Sequence, residues 1–338
     1  LNTILDASDF TVEFWMNASA HYQYASLISN KDYNNGANTG FVIAQSSSNS
    51  ILVNFNTSTG TRVDLNAIPV PNEIGTWNHI AAVFKRNGSS PTITVYINGV
   101  QKAIASLNSS TSTASITPSS TAITWNIGAA YDNFYGKNIY GYSGQLDEVK
   151  IWNVAKSQGE IRTSMCQKLS GSESNLAAYY TINEGTGTSV GNSSLGTSIS
   201  TYTASNYTGT IVGSPTWQVS GAPLGDVSAY IFPGSVSGNW TGRSISTGSM
   251  LDKTSNVRGS LTLSSLSATT YPDGVFVYYN RNYPNYRLSA TGNPFDTTSN
   301  TNNNVYPSVF FSGGSVLSYT LLYDYSTFTS AIPSAGGA

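Results

Sequence analysis

The sequence predicts an all-β protein: a sandwich or jelly roll of antiparallel strands, followed by a second, smaller β-rich module. Three observations predict it. In "DFTVEFWMNAS", Phe10, Val12, Phe14 and Met16 alternate with Thr11, Glu13, Trp15 and Asn17, the two-residue period of a half-buried strand. "HIAAVFKRNG" and "ITVYINGVQKAI" carry Asn87-Gly88 and Asn98-Gly99, residue pairs that accept the positive φ angles of tight hairpin turns. Short β-prone runs with polar spacers, "GSLTLSSLS", "GVFVYYN", "YPSVFFSGG" and "SVLSYTLLYDYS", recur toward the end of the chain.

One helix is expected. In "NVAKSQGEIRTSMCQKL", Ser157 and Glu160 have capping-box spacing, so each side chain can satisfy the other residue's backbone N–H. Ile161 and Met165 then share a face, with Leu169 one turn further. Near "SPTWQVSGAPLGDVSAY" the texture changes: Trp217 ends a strand and Gly221-Ala222-Pro223 interrupts any ladder. This places the first domain at residues 1–223 and the smaller module at 224–338. "TGNPFDTTSNTNNNVYP" reads as a loop, because Asn, Thr and Pro supply no packed face. No internal repeat is visible, so the two parts read as different modules.

Composition narrows the function. The 338 residues suffice for a sizeable core, but only 9% are charged, against roughly 25% in an ordinary soluble domain. Net charge is −2 with no basic run, so the phosphate-neutralising surface of a nucleic-acid binder is missing. Cys166 is the only cysteine, which excludes an intrachain disulfide or a multi-cysteine metal site and reads as a buried small hydrophobe. Scarce cysteine and an amide- and hydroxyl-rich composition point to an exported bacterial protein. No apolar stretch approaches the roughly 20 residues that span a bilayer, and no signal peptide precedes Leu1, so a mature or excised piece is expected.

The segments "FTVEFWMN", "SLISNKD", "GTWNHIAAVFKRNG", "ITVYINGV", "WNIGAA", "YGYSGQLDEVKIWNVAKSQGEI", "LAAYYTINEGTGTSV" and "GTIVGSPTWQVSGAPLGD" succeed one another as in a known family. In this order they resemble laminin-G-like modules of the concanavalin A-like jelly-roll superfamily, of the bacterial type with pentraxin relatives. The resemblance covers residues 1–223 and is carried most strongly by "TWNHIA", "VYINGV" and "LDEVKIWN". The tail from "APLGDVSAY" resembles the segment that comes after such modules in long surface proteins and adhesins of the Bacteroidetes type. The resemblance also implies a leading strand ahead of Leu1 that this chain lacks.

"SGQLDEVKIWNVAKSQGEI", residues 143–161, sets Asp147 and Glu148 side by side. Adjacent strand residues point to opposite faces, so the pair is not expected to flank one glycosidic bond at the roughly 5 to 10 Å that hydrolysis requires. Nor does the E-x-D-x-E array that related glucanases carry appear here. The resemblance implies a calcium-ligand role for Asp147; a carboxylate accepting backbone hydrogen bonds is the other reading. Asn30 and Asp32 in "SNKDYNNG" are further oxygen donors for calcium, in a composition that also suits turns. Trp77 and Trp152 resemble core positions of the family.

Better candidates for a binding rim are "AYDNFYGKNIYGY" and "SAHYQYAS", where Tyr131, Phe134, Tyr135, Tyr140, Tyr22 and Tyr24 stand among amides and acids. Aromatic faces stack on sugar C–H groups while amides read hydroxyls; such loops also bind proteins. His21 and His79 have no metal-ligand spacing, and no phosphate loop or nucleophile elbow is present. The expected function is therefore non-catalytic and extracellular: a binding or adhesion module of a bacterial cell-surface adhesin or filament, with a surface glycan or a neighbouring protein module as partner and calcium as a cofactor. Two alternatives stand beside it. One is a carbohydrate-binding module pair from a secreted polysaccharide-degrading enzyme; the other is a structural spacer that self-associates by strand exchange.

Overall fold

The alternating run at residues 10–18 becomes the strand around which the larger unit is built. The computed structural model describes residues 1–6, 8–34, 37–47, 49–59, 62–70, 73–108, 113–132, 134–199, 207–232, 243–246, 260–281 and 305–323. In chain order come α1 (Asn2–Leu5), β1 (Phe10–Ala18), β2 (Ser26–Ser29), β3 (Gly40–Gln45), β4 (Ile51–Asn56), β5 (Val63–Ala67), β6 (Asn78–Lys85), β7 (Thr92–Ile97) and β8 (Val100–Ser106). Next are β9 (Asn126–Ile127), β10 (Ala130–Asp132), β11 (Lys137–Ile139), β12 (Gly144–Trp152), α2 (Gln158–Met165), β13 (Leu176–Tyr180), β14 (Ser189–Val190) and β15 (Gly209–Thr210). The rest are β16 (Val227–Ile231), β17 (Arg243–Ser246), β18 (Ser260–Thr270), β19 (Gly274–Arg281), β20 (Val305–Ser312) and β21 (Ser315–Tyr323).

Two compact units result: Leu1–Ile161 with Leu169–Ala222, and Arg162–Lys168 with Pro223–Ala338. The first is an antiparallel jelly-roll sandwich. One sheet has the order β13-β12-β1-β6-β7-β8 and the other β5-β4-β3-β2-β9. Their inner faces share one core, in which Phe10 stacks on Phe84 at 4.2 Å and Phe41 and Phe55 of the other sheet approach Phe84 at 5.3 and 5.4 Å. Burying several aromatic rings in one layer dominates the apolar driving force, at about 25 cal/mol per Å² removed from water.

β1 differs from expectation in one respect. Its alternation is real, but the outward residues Thr11, Glu13 and Trp15 are buried as completely as the core-facing ones. Residues 154–157 lie over that outer face: Thr11 Oγ1 donates to Val154 O at 2.8 Å and accepts from Lys156 N at 3.0 Å. Asn98 at φ 52° and Gly99 at φ 76° form the two-residue turn between β7 and β8. Asn87-Gly88 instead lies within a longer connection from β6 to β7.

The capping box is present: Ser157 N donates to Glu160 Oε2 at 2.7 Å, and Glu160 N to Ser157 Oγ at 3.3 Å. Ile161, Met165 and Cys166 are buried as expected, but the helix ends at Met165, so Leu169 lies beyond it. A second, one-turn helix, α1, precedes β1. Trp217 ends no strand, because residues 212–224 make no ladder.

In the smaller unit the four β-prone runs form β18 to β21, in sheets of order β16-β19-β20 and β17-β18-β21. Phe276 is buried among Tyr230, Phe232 and Phe310, with centroids 5.6, 5.5 and 6.0 Å away. Of the segment read as a loop, residues 291–304 lie outside the described residues.

Candidate functional site

Three loops meet beyond the β2–β9 edge of the sandwich. Residues 22–25 lead into β2, residues 30–33 leave it, and the β10–β11 hairpin with Tyr140 lies alongside. Backbone hydrogen bonds fix them: Ser26 N donates to Tyr140 O at 2.7 Å and Tyr33 N to Tyr131 O at 3.0 Å. Asp32 pairs with Tyr131 in an isolated parallel bridge. Residues about a hundred positions apart in sequence are thereby locked into one edge.

On that edge the rings form a ladder. Tyr24 meets Tyr33 edge to face at 6.2 Å, and Tyr33 meets Tyr140 at 5.2 Å. At the hairpin tip Phe134 and Tyr135 stand perpendicular at 5.0 Å, with Lys137 Nζ 5.8 Å from the Tyr135 ring centre. Tyr22 is 58% exposed, Tyr24 43%, Phe134 77% and Tyr135 62%, so aromatic surface faces water where burial would be more favourable. Beneath it Asp132 is buried and accepts from Tyr135 N at 3.0 Å, while Asp32 accepts from Asn34 N at 3.1 Å. Burial and the nearby Asp132, Tyr135 and Asp32 push the Tyr140 phenol up; burial, with Tyr24 and Asp64 beside it, does the same to Tyr33. Both phenols stay neutral donors throughout the physiological range.

Tyr24 and Tyr140 hold φ at 68° and 55°. A bulky side chain in the left-handed region costs on the order of 1 to 2 kcal/mol, and such strain concentrates where position matters more than stability. Tyr24, Tyr131 and Tyr140 thus come together, Phe134 and Tyr135 cap the hairpin, and Tyr22 stands in the turn beside Tyr24. Tyr33, the centre of the ladder, was not among the sequence candidates although it sits in "SNKDYNNG".

The acid pair behaves otherwise. Opposite β1, the register passes from Glu13–Lys150 to Trp15–Asp147, a bulge at which Glu148 adopts φ 51°. Regular alternation would have put Asp147 on the core side with Val149; the extra residue turns it outward, opposite Trp15. The two carboxylates therefore share the outer face, contrary to the alternation argument. Both are buried and engaged. Asp147 accepts from Glu148 N at 2.8 Å and from the Ser220 hydroxyl, and Glu148 accepts from Tyr179 Oη at 2.5 Å with Lys150 Nζ at 3.6 Å. Burial, against the Ser220 hydrogen bond, raises the Asp147 carboxyl to about 6.

The same face carries Glu13, with His79 Nε2 at 3.5 Å and Lys156 Nζ at 3.7 Å, and Trp152 Nε1 donates to it at 2.8 Å. Burial alone would raise the Glu13 carboxyl; Lys156, His79 and Lys150 hold it well below the usual range, while burial keeps His79 neutral. Trp152 is buried under Lys156, 3.7 Å from its ring centre, and Trp77 is half-buried, so neither tryptophan is a free platform. His21 bonds Glu73 at 3.0 Å.

Calcium wants several oxygens converging at one point. Asp147 belongs to one sheet, and its oxygens are taken by Glu148 N and Ser220. Asn30, just past β2 of the other sheet, accepts from Phe41 N on Oδ1 at 2.8 Å and donates from Nδ2 to Asn2 Oδ1 at 3.1 Å. Asp32 lies on the tyrosine edge, where Oδ1 accepts from Asn34 N at 3.1 Å and its backbone bridges to Tyr131. Among the described residues no group of three or more His, Cys, Asp and Glu is placed to hold a metal ion. Asp147, Asn30 and Asp32 do not fit a common calcium cage.

Residues 2–162 match a laminin-G family model described as the concanavalin A-like lectin/glucanases superfamily. No curated protein matches the chain. Among solved structures, the sandwich is similar to a Bacteroides ovatus protein provisionally described as carbohydrate-binding, at 17% identity and TM-score 0.42, over 55% of this chain and 49% of that one. The chain therefore spans about half the length of that protein. It is also similar to the CBM40 of a Ruminococcus gnavus sialidase, at 12% identity and TM-score 0.39, over 47% of this chain and 83% of the other. A third likeness, at 18% identity and TM-score 0.35 over 46% and 69%, is to a heptameric SAP-like pentraxin of Limulus polyphemus. Likeness this distant fixes neither ligand nor function.

Proposed function

We propose that the jelly-roll unit is a non-catalytic, extracellular carbohydrate-binding module whose ligand lies on the tyrosine edge. The observation that carries this reading is the Tyr24–Tyr33–Tyr140 ladder, flanked by the exposed Phe134–Tyr135 pair and built partly on strained backbone. Exposed rings offer faces to sugar C–H bonds, and phenols and amides around them supply hydroxyl partners. The match of residues 2–162 to a superfamily that includes lectins supports it. The engaged state of Asp147 and Glu148 supports a binding role over a hydrolytic one.

The surroundings of this module are proposed as a bacterial cell-surface adhesin or filament, displayed outside the cell. No helix among the described residues is long and apolar enough to cross a membrane. The test is glycan-array binding by the whole chain, repeated with Tyr24→Ala and Tyr135→Ala. Retention of a defined glycan class that falls roughly tenfold or more in either variant, a loss of about 1.4 kcal/mol or more, supports the reading. Unchanged retention in both variants overturns it.

A further inference from the structure

Lys31 lies just past β2, and its side chain is fully buried. Its Nζ lies 2.5 Å from Oδ1 of Asn54 in β4, a carboxamide only 1% exposed. On the other side of that carboxamide, Asn54 Nδ2 donates to Oδ1 of Asp64 in β5 at 2.6 Å. The register explains the alignment: Asn54 stands opposite both Val42 and Asp64, on the side of the sheet away from the Phe41–Phe55 core. Gly40 makes room for the lysine stem, since a Cβ there, at φ 117°, would come 2.7 Å from Lys31 Cβ.

The chemistry of the three groups is complementary. Burial, aided by Arg62 and opposed by Asp64 and Asp32, brings the Lys31 amine down to about 7, so a large share of it is unprotonated and nucleophilic near neutrality. The amine and the amide carbon are buried together, while the carboxylate on the departing nitrogen, that of Asp64, is partly exposed and also pairs with Arg62 Nε at 2.7 Å. Well-oriented intramolecular partners reach effective concentrations of roughly 10⁵ to 10⁸ M, which brings an otherwise very slow amide exchange within reach.

We infer that Lys31 and Asn54 become joined by a self-formed amide cross-link, with Asp64 as the proton carrier. Nζ swings out of the carboxamide plane and its lone pair adds to Cγ of Asn54, the carbonyl pair moving to Oδ1. Asp64 takes a proton from the cationic nitrogen and delivers it to Nδ2. The Oδ1 pair then returns, the Cγ–Nδ2 bond breaks, and ammonia leaves. One C–N bond forms and one breaks, the proton count closes, and nothing is oxidised or reduced. Such a bond covalently ties β2 to β4 in a chain whose single cysteine allows no internal disulfide.

The test is the denatured intact mass of the whole wild-type chain, followed by peptide mapping. The expected mass is lighter than the sequence mass by one ammonia, with no tryptic cleavage after Lys31 and one branched species containing both Lys31 and Asn54. Full sequence mass with separate peptides overturns the inference. So does an ammonia loss that maps to an Asn-Gly pair and opens in mild base, by addition of water, to aspartate or isoaspartate, the mark of a succinimide. Asp64→Ala, checked for folding by circular dichroism, is expected to keep the full mass. A linked Asp64→Ala chain overturns the role given to Asp64, and an unfolded one leaves the wild-type mass as the deciding measurement.

Discussion

Tyr179 of β13 donates its phenolic hydrogen to Oε2 of Glu148 in β12 at 2.5 Å, with both side chains buried. The relationship exists because the bulge turns Glu148 to a left-handed φ and aims its carboxylate across the outer face toward Tyr179. Tyr179→Phe removes one donor from a buried charge and leaves Lys150, at 3.6 Å, as its cationic neighbour. The expected loss is about 1.5 to 3 kcal/mol in chemical denaturation, as for other hydrogen bonds to charged groups. A variant indistinguishable from wild type would show Glu148 to be satisfied without the phenol.

Asp147 sets a pH dependence of opposite sign to the usual carboxylate. Its folded value of about 6 lies above the 3.8 of an unperturbed group. Between these values the folded state binds more protons than the unfolded one, so this group's contribution to stability falls as pH rises through that window and is constant above it. Asp147→Asn is expected to gain on wild type by about 3 kcal/mol between pH 4 and pH 7, read from denaturation midpoints at each pH. A pH-independent difference would refute the raised value.

Backbone strain and ring chemistry separate at Tyr24. Tyr24→Gly relieves a left-handed conformation worth about 1 kcal/mol and deletes an exposed ring. The variant is expected to unfold at an unchanged or higher temperature while glycan retention drops. A fall in both would mean that the ring holds the loop and the strain serves no binding role.

Calcium and excess chelator are expected to leave the unfolding midpoint and glycan retention unchanged, because Asp147, Asn30 and Asp32 are engaged at separate places. A metal bound only to the folded state at 100 times its dissociation constant would add about 2.7 kcal/mol. A gain of that size, abolished by Asp32→Ala, would place a metal on the tyrosine edge after all.

Ser157→Ala removes the Oγ of the capping box and is expected to cost about 1 kcal/mol. Circular dichroism at the unfolding midpoint reads it.

What could be foreseen was local. The two-residue period of β1, the Asn98-Gly99 turn and the Ser157–Glu160 box are each encoded within a few consecutive residues, and each forms as its pattern implies. The bulge at Glu148 was not legible, because strand periodicity carries no mark of an inserted residue and the left-handed φ falls on a glutamate rather than a glycine or asparagine. The full burial of Glu13 was hidden for a related reason: the covering loop arrives from residues 154–157. For the edge, the sequence marked the aromatic-rich loops but not their convergence, which depends on long-range bonds such as Ser26 N to Tyr140 O. Tyr33 escaped because its neighbours Asn30 and Asp32 drew the reading of that segment toward oxygen ligands.

The strand order has a consequence for how the chain is made. β1 lies between β6 and β12, pairing Thr11 with Val83 on one side and with Trp152 on the other. This interior strand thus leaves the ribosome ahead of both neighbours, and its second partner is synthesised last but one in that sheet. At roughly 5 to 20 residues per second, the apolar edge of β1 stays half-paired for many seconds after it emerges. Until β12 arrives β1 presents an unpaired backbone edge, a template for other chains, and truncation before β12 should yield aggregates rather than a smaller folded domain.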